Sequence, residues 1–151
     1  MKKSKTNIIH ANPKDVIGSN KLPLHLVPAS TMAYIALGHL EGDLKYGKVN
    51  WREAGIRATI YIDACLRHVM KFKEGEWADP ETHVPHLANA LCCLSILVDA
   101  YNSGKLIDDR PKSIDASKII AELEETVKFL KSLHSDKKPV DYFIDGPKQR
   151  E

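Results

Sequence analysis

Residues 86–102 constrain the fold more than any other stretch of the chain. Leu87, Ala88, Ala90, Leu91, Leu94, Ile96, Leu97 and Val98 fall on nearly every side of a helical wheel. A helix without a polar face has to be covered by neighbours on most sides. Its longest apolar run, residues 91–98, is broken by Ser95 and falls far short of the roughly 20 residues that cross a bilayer. The helix is therefore expected in a protein core. Pro85 suits its first turn, and Asn102, Ser103 and Gly104 stop it.

The cover has to come from the other periodic segments. A helix over 31–46, capped by Ser30 or Thr31 and ended by Gly47, carries Ala33, Ala36, Leu37, Leu40 and Leu44 on one face. Gly38 and Gly42 lie opposite that stripe. Each costs a helix about 1 kcal/mol relative to alanine, so a close-packed helix or a ligand is needed to explain them. A second helix starts at 51 or 58 and runs to 72. Asn50 and Glu53 have capping-box spacing, Gly55 can delay the start, and Gly75 follows the end. Ile62, Cys65, Leu66, Val69 and Phe72 form its apolar stripe, with Tyr61, Ala64 and His68 beside it. A further amphipathic helix spans 115–134 through Ala116, Ile119, Ile120, Leu123, Val127, Leu130 and Leu133. No repeat and no strand is evident. The fold class is all-α, a single-domain four-helix bundle covering residues 28–135. Residues 1–27, with Lys2, Lys3, Lys5, Lys14 and Lys21 against Asp15, read as a flexible arm. Residues 136–151 read as a loose tail anchored by Tyr142, Phe143 and Ile144.

Charge and cysteine content narrow the functional classes. Lys plus Arg number 22 against 20 Asp plus Glu, a net charge of +2, too small for a protein that coats nucleic acid by charge. Cys65, Cys92 and Cys93 are odd in number, two are adjacent, and none forms a CxxC. That usage suits a reducing compartment. The N-terminus has lysines without a following apolar stretch, so no secretory signal is read. A cytoplasmic location is expected, with no membrane partner.

Three tracts can carry chemistry. Glu76, Asp79, Glu81, His83 and His86 crowd one loop and the following helix start, with His68 just upstream. Glu76 and Asp79, three residues apart, can share one side of a turn and hold a hard divalent cation; His68 and His86 would pull such a site toward Mn²⁺. The same residues can instead be a solvated acidic loop capping the next helix. His86, Asn89 and Cys93 form a polar stripe on the apolar helix. Buried amides and imidazoles need partners, and His68 and Tyr61 are candidates; a ligand-facing wall is the alternative. In KYGKVNW, Lys45 and Lys48 can meet phosphate, Tyr46 or Trp51 can stack on a base, and Asn50 can hydrogen-bond one. The same tract can be a plain helix connection with Trp51 in the core. Arg67 can pair with Asp63 or clamp a phosphate. Glu41 can pair with Lys45 or point into a shared site.

KYGKVNW, YIDACLRH and GEWADPETHVPHLANA occur in that order. Together they resemble the phage-associated dATP/dGTP diphosphohydrolase family, a MazG-like branch of the all-α nucleoside triphosphate pyrophosphohydrolases. The resemblance covers about residues 22–101. It implies hydrolysis of a deoxypurine nucleoside triphosphate, dGTP or dATP, to the monophosphate and pyrophosphate with Mg²⁺ or Mn²⁺. It also implies a homodimer or homotetramer, and, in phages that use 2-aminoadenine, supply of dGMP to that pathway. MazG-like enzymes carry ExxE on one helix and ExxD on another. Here Glu76–Asp79 has the ExxD spacing in an expected loop, and the first helix offers only Glu41-Gly42-Asp43. On this reading Glu76 and Asp79 are the first metal ligands and Glu41 a third. A carboxylate or His86 is the base. Lys45 and Arg67 hold the triphosphate, and Tyr46, Asn50, Trp51, His68 and Asn89 contact the nucleotide. The rival readings are a non-catalytic helical interaction protein and a metal-dependent phosphohydrolase that releases orthophosphate.

Overall fold

The computed structural model describes residues 12–149. Two units are distinguished, the chain up to Ala33 and the segment Tyr34–Glu151. In the first, Asn12 caps helix α1, Pro13–Gly18: its side chain accepts from the Lys14 amide at 3.0 Å, and Pro13 takes the first helical position. A 3₁₀ turn follows at Leu24–Leu26. Part of the stretch read as an arm thus carries local structure, while Lys2, Lys3 and Lys5 lie outside the described residues. Helix α2, Ala29–Tyr46, starts earlier than its periodicity indicates. Ser30 and Thr31 therefore sit in its first turn and do not cap it.

Gly47, at φ +88°, ends α2. Helix α3, Trp51–Ala54, is a single turn, and Asn50 makes no side-chain cap bond to it, so the capping box does not form. Gly55, at φ +75°, breaks the chain between α3 and strand β1, Ile56–Arg57. Helix α4, Ala58–Lys73, follows. Its N-terminus is closed from a distance: Asp109 accepts from the Thr59 amide at 2.9 Å and from its hydroxyl at 2.6 Å. Helix α5 runs His86–Asn102, the bounds its sequence dictates. Strand β2, Leu106–Ile107, pairs in parallel with β1. Helix α6, Ala116–Leu133, is capped by the Asp115 side chain on the Lys118 amide. A hairpin closes the described chain, β3 Val140–Phe143 against β4 Gly146–Gln149.

The molecule is mostly helical, as expected, but the four helices do not share one core. Trp51, Ile56, Cys92, Ile96 and Ala100 form the buried cluster, with Tyr61, Leu97 and Leu106 against it. α6 buries no residue; its amphipathic period says which face is apolar and not what covers it. The small residues of α5 carry its burial. Ala88 and Ala100 are fully enclosed, whereas Leu94 is 49% and Val98 63% exposed. Gly38 explains itself here. A Cβ at that position would stand 2.7 Å from the Ala88 carbonyl oxygen and 2.8 Å from Cys92 Cβ, so α2 meets α5 through a residue without a side chain. The strands and the tail hairpin are absent from the sequence reading, because two-residue strands show no alternation and Pro147 argues against pairing.

Candidate active site

A cavity of about 500 Å³ lies among α2, α4, α5 and the loop before α5, within the size range of small-molecule sites. α2 supplies Gly38, His39, Glu41, Gly42, Lys45 and Tyr46, one helical face at successive turns. Asn50 and Trp51 come from the start of α3. Ile60, Tyr61, Ala64 and His68 come from α4, and Asn89, Cys92, Cys93 and Ile96 from α5. Asp79, Glu81 and Thr82 close it from the loop. Gly42 has no atom within 4 Å of a notional Cβ, so its missing side chain leaves cavity space.

Of the residues singled out in the sequence, Glu41, Lys45, Tyr46, Asn50, Trp51, His68, Asp79 and Asn89 meet on this cavity. Arg67, Glu76 and His86 do not line it. Arg67 is exposed. Glu76 and Asp79 part company because the loop is not a helical turn. An Ala78–Pro85 bridge closes it, and the Asp79 amide donates to the Val84 carbonyl at 3.1 Å. Asp79 Oδ1 accepts from the Glu81 and Thr82 amides at 3.0 and 3.1 Å. These backbone donors hold the Asp79 carboxyl below its ordinary value. His83 takes φ +59° to complete the turn. Glu76 Oε1 instead accepts from His86 Nε2 at 2.8 Å and from Lys71 Nζ at 3.5 Å. The His86 bond foremost lowers the Glu76 pKa.

His86 is fully buried, and its Nδ1 lies 3.0 Å from Nδ1 of His68. Both His86 ring nitrogens thus have protein partners and the residue does not line the cavity, which sets it apart from the base role that the resemblance implies. Burial, and then the neighbouring His86, push the His68 pKa down. Glu41 pairs with Lys45, and that bond foremost raises the lysine's pKa. Lys45 also feels Asp79, so one end of the cavity alternates carboxylate, ammonium and carboxylate. Burial pushes the Cys92 and Cys93 thiols up to about 11, which keeps both protonated and inert near neutrality.

Two groups escaped the sequence reading. His39 Nε2 lies 2.7 Å from Ser95 Oγ, and its ring packs on Trp51 at 5.6 Å. Asp99 accepts from Trp51 Nε1 at 2.6 Å and from Arg52 Nε and Nη2 at 2.8 and 2.6 Å. Asp99 is the sole charge in residues 86–102, and a lone charge on an apolar helix was the available signal. Arg52, then Trp51, lower its pKa from 3.8 to about 2. A carboxylate depressed by folding stabilises the fold above its unfolded value and stops doing so as pH falls through the folded one. Asp99→Asn is therefore expected to destabilise the protein at neutral pH. Its deficit against wild type, followed by urea midpoints, should close as pH falls from 3.8 toward about 2. A deficit independent of pH would contradict this.

Among the described residues no three His, Cys, Asp or Glu are placed to hold a metal ion by themselves. The cavity's donors are nevertheless of the right kind for a hard cation. Glu41, Asp79 and Glu81 offer carboxylate oxygens, and Mg²⁺ is commonly held by one or two carboxylates with substrate phosphates and waters completing the shell.

The described residues thus form a mostly helical protein with a cavity that brings charged, amide and aromatic side chains together. A family model described as dATP/dGTP diphosphohydrolase, N-terminal, matches residues 11–110, and the chain belongs to that family. It is 31% identical over 90 residues to a protein of Salmonella phage PMBT28 named dATP/dGTP diphosphohydrolase. That alignment covers 60% of this chain and 30% of the phage protein, so the chain spans under a third of its relative's length. No solved structure matches the chain. No helix among the described residues is long and apolar enough to cross a membrane.

Proposed function

We propose that the cavity binds a deoxypurine nucleoside triphosphate, dGTP or dATP, and that the chain hydrolyses it to the monophosphate and pyrophosphate with Mg²⁺ or Mn²⁺. One observation carries this reading: in a chain of this family, a single cavity joins a carboxylate–lysine cluster to a wall of aromatic and amide side chains. Lys45 would neutralise phosphate oxygens. Tyr46, Trp51 and Tyr61 offer rings to the base, and Asn50 and Asn89 offer donors and acceptors to its edge or to the sugar. Glu41 and Asp79 would hold the cation, which when bound supplies charge neutralisation on the phosphates and acidifies water. Glu76, whose carboxylate serves His86 and Lys71, leaves the ligand set, and Arg67 leaves the phosphate site. Lys45→Ala is expected to weaken binding of the α,β-methylene analogue of dGTP, titrated with Mg²⁺, by about tenfold or more, as loss of a charged hydrogen bond would. Unchanged affinity would contradict the assignment.

The reading includes a homodimer or homotetramer. Exposed Leu94 and Val98 on α5 and the uncovered apolar stripe of α6 support it, since contiguous apolar faces of this kind mark association surfaces. Sedimentation of the full chain should show a dimer or tetramer at micromolar concentration; a monomer would contradict it. Three free thiols suit a reducing cytoplasm. In a phage that uses 2-aminoadenine, the dGMP formed would feed that pathway.

A further inference from the structure

The His68–His86 pair does something that neither residue does alone. An ionised Glu76 carboxylate can only accept, so His86 Nε2, 2.8 Å from its Oε1, carries the proton between them. His86 has no exposure; in its neutral form, with one proton per ring, its Nδ1 is a lone pair. That lone pair faces Nδ1 of His68 at 3.0 Å, a contact that holds one hydrogen. In the neutral pair that hydrogen is on His68 Nδ1. His68 also lines the cavity, and its remaining nitrogen, Nε2, is an unprotonated acceptor on a ring that the relay holds in place. Every step is set by the partner before it, from the loop carboxylate inward. Burial, which foremost lowers the His68 pKa, favours the same neutral form.

We infer that His68 Nε2 is the proton acceptor of the cavity, with His86 and Glu76 as positioning residues that fix its tautomer. The inference rests on the proposed pyrophosphohydrolase reading. In that reaction a water oxygen bonds to the α-phosphorus and its proton passes to His68 Nε2. The bond from that phosphorus to the bridging oxygen breaks, and pyrophosphate leaves with the electron pair. The imidazolium then returns its proton to solvent. Glu76, three residues before the cavity carboxylate Asp79, thus acts through two rings and not through a cation.

The first test needs no turnover. Long-range ¹H–¹⁵N correlation spectra of the full chain at neutral pH should show His68 protonated on Nδ1 and bare on Nε2, and His86 protonated on Nε2 and bare on Nδ1. The opposite tautomer of His68 would overturn the inference whatever the protein catalyses. The second test separates the roles. His68→Gln should lower kcat for dGTP by about a hundredfold, in the range of general-base removal, with KM within threefold. Glu76→Ala, which frees His86 to reverse, should lower kcat about tenfold, and Glu76→Gln, whose amide oxygen still accepts from His86, should restore most of it. Wild-type activity in His68→Gln, beside an active wild-type enzyme, would sink the base role alone. A wild-type protein that releases no pyrophosphate from any nucleotide would sink the pyrophosphohydrolase reading and the base role with it, and would leave the tautomer assignment to the spectra.

Discussion

Asp79→Asn is expected to keep its fold and lose turnover by about 10²–10³, the scale on which removing one charge-stabilising group from an active site acts. The substitution is clean because of how the loop is built. Both local hydrogen bonds to Asp79 fall on Oδ1, and an asparagine Oδ1 still accepts them, without the carboxylate's added strength. The turn survives while the charge facing Lys45 and the cavity is lost. Asp79→Ala removes turn and charge together, so it should lose activity and also melt earlier. Measuring kcat and the melting temperature of both variants tells the two effects apart. Full activity in Asp79→Asn would remove Asp79 from the reacting site.

Gly38→Ala should destabilise the protein, although alanine normally improves a helix. The propensity gain is about 1 kcal/mol. Against it stands a methyl placed 2.7 Å from the Ala88 carbonyl oxygen and 2.8 Å from Cys92 Cβ. A backbone carbonyl inside α5 cannot step aside cheaply, and overpacking of this kind costs about 1–3 kcal/mol, occasionally more. The steric term wins. A fall of roughly 3–6 °C in Tm is expected for a chain of this size, and Gly38→Val should fall further. Gly42→Ala, with nothing within 4 Å, is the control and should melt no lower than wild type. A stabilised Gly38→Ala would show that α2 and α5 do not meet as described.

Periodicity made the helices legible and left their neighbours open. The ends of α5 are marked by Pro85 and by Ser103-Gly104, and those of α6 by Asp115 and His134, so both spans can be read from residues alone. The exposure of α6 cannot, because an amphipathic stripe carries no address. Glu41, Lys45, Asn50, Trp51 and Asn89 meet on the cavity because they sit on helices or at a helix start, where spacing fixes direction. Glu76 and Asp79 diverge because spacing in a loop fixes nothing. The Asp79 turn and the Ala78–Pro85 bridge set the directions there. The pairing of His68 with His86 was among the candidates for satisfying a buried imidazole. The role it implies for His68 needed the distances to Glu76 and His86.

On the proposed function, this chain turns a deoxypurine triphosphate into a monophosphate and pyrophosphate. The most direct measurement is a product panel. The purified full chain is incubated with each dNTP and NTP in Mg²⁺ or Mn²⁺, and nucleoside monophosphate, pyrophosphate and orthophosphate are resolved. Monophosphate and pyrophosphate in equal amounts from dGTP or dATP is the predicted result. Orthophosphate as the product, or no turnover of any nucleotide by folded protein with metal present, would contradict it.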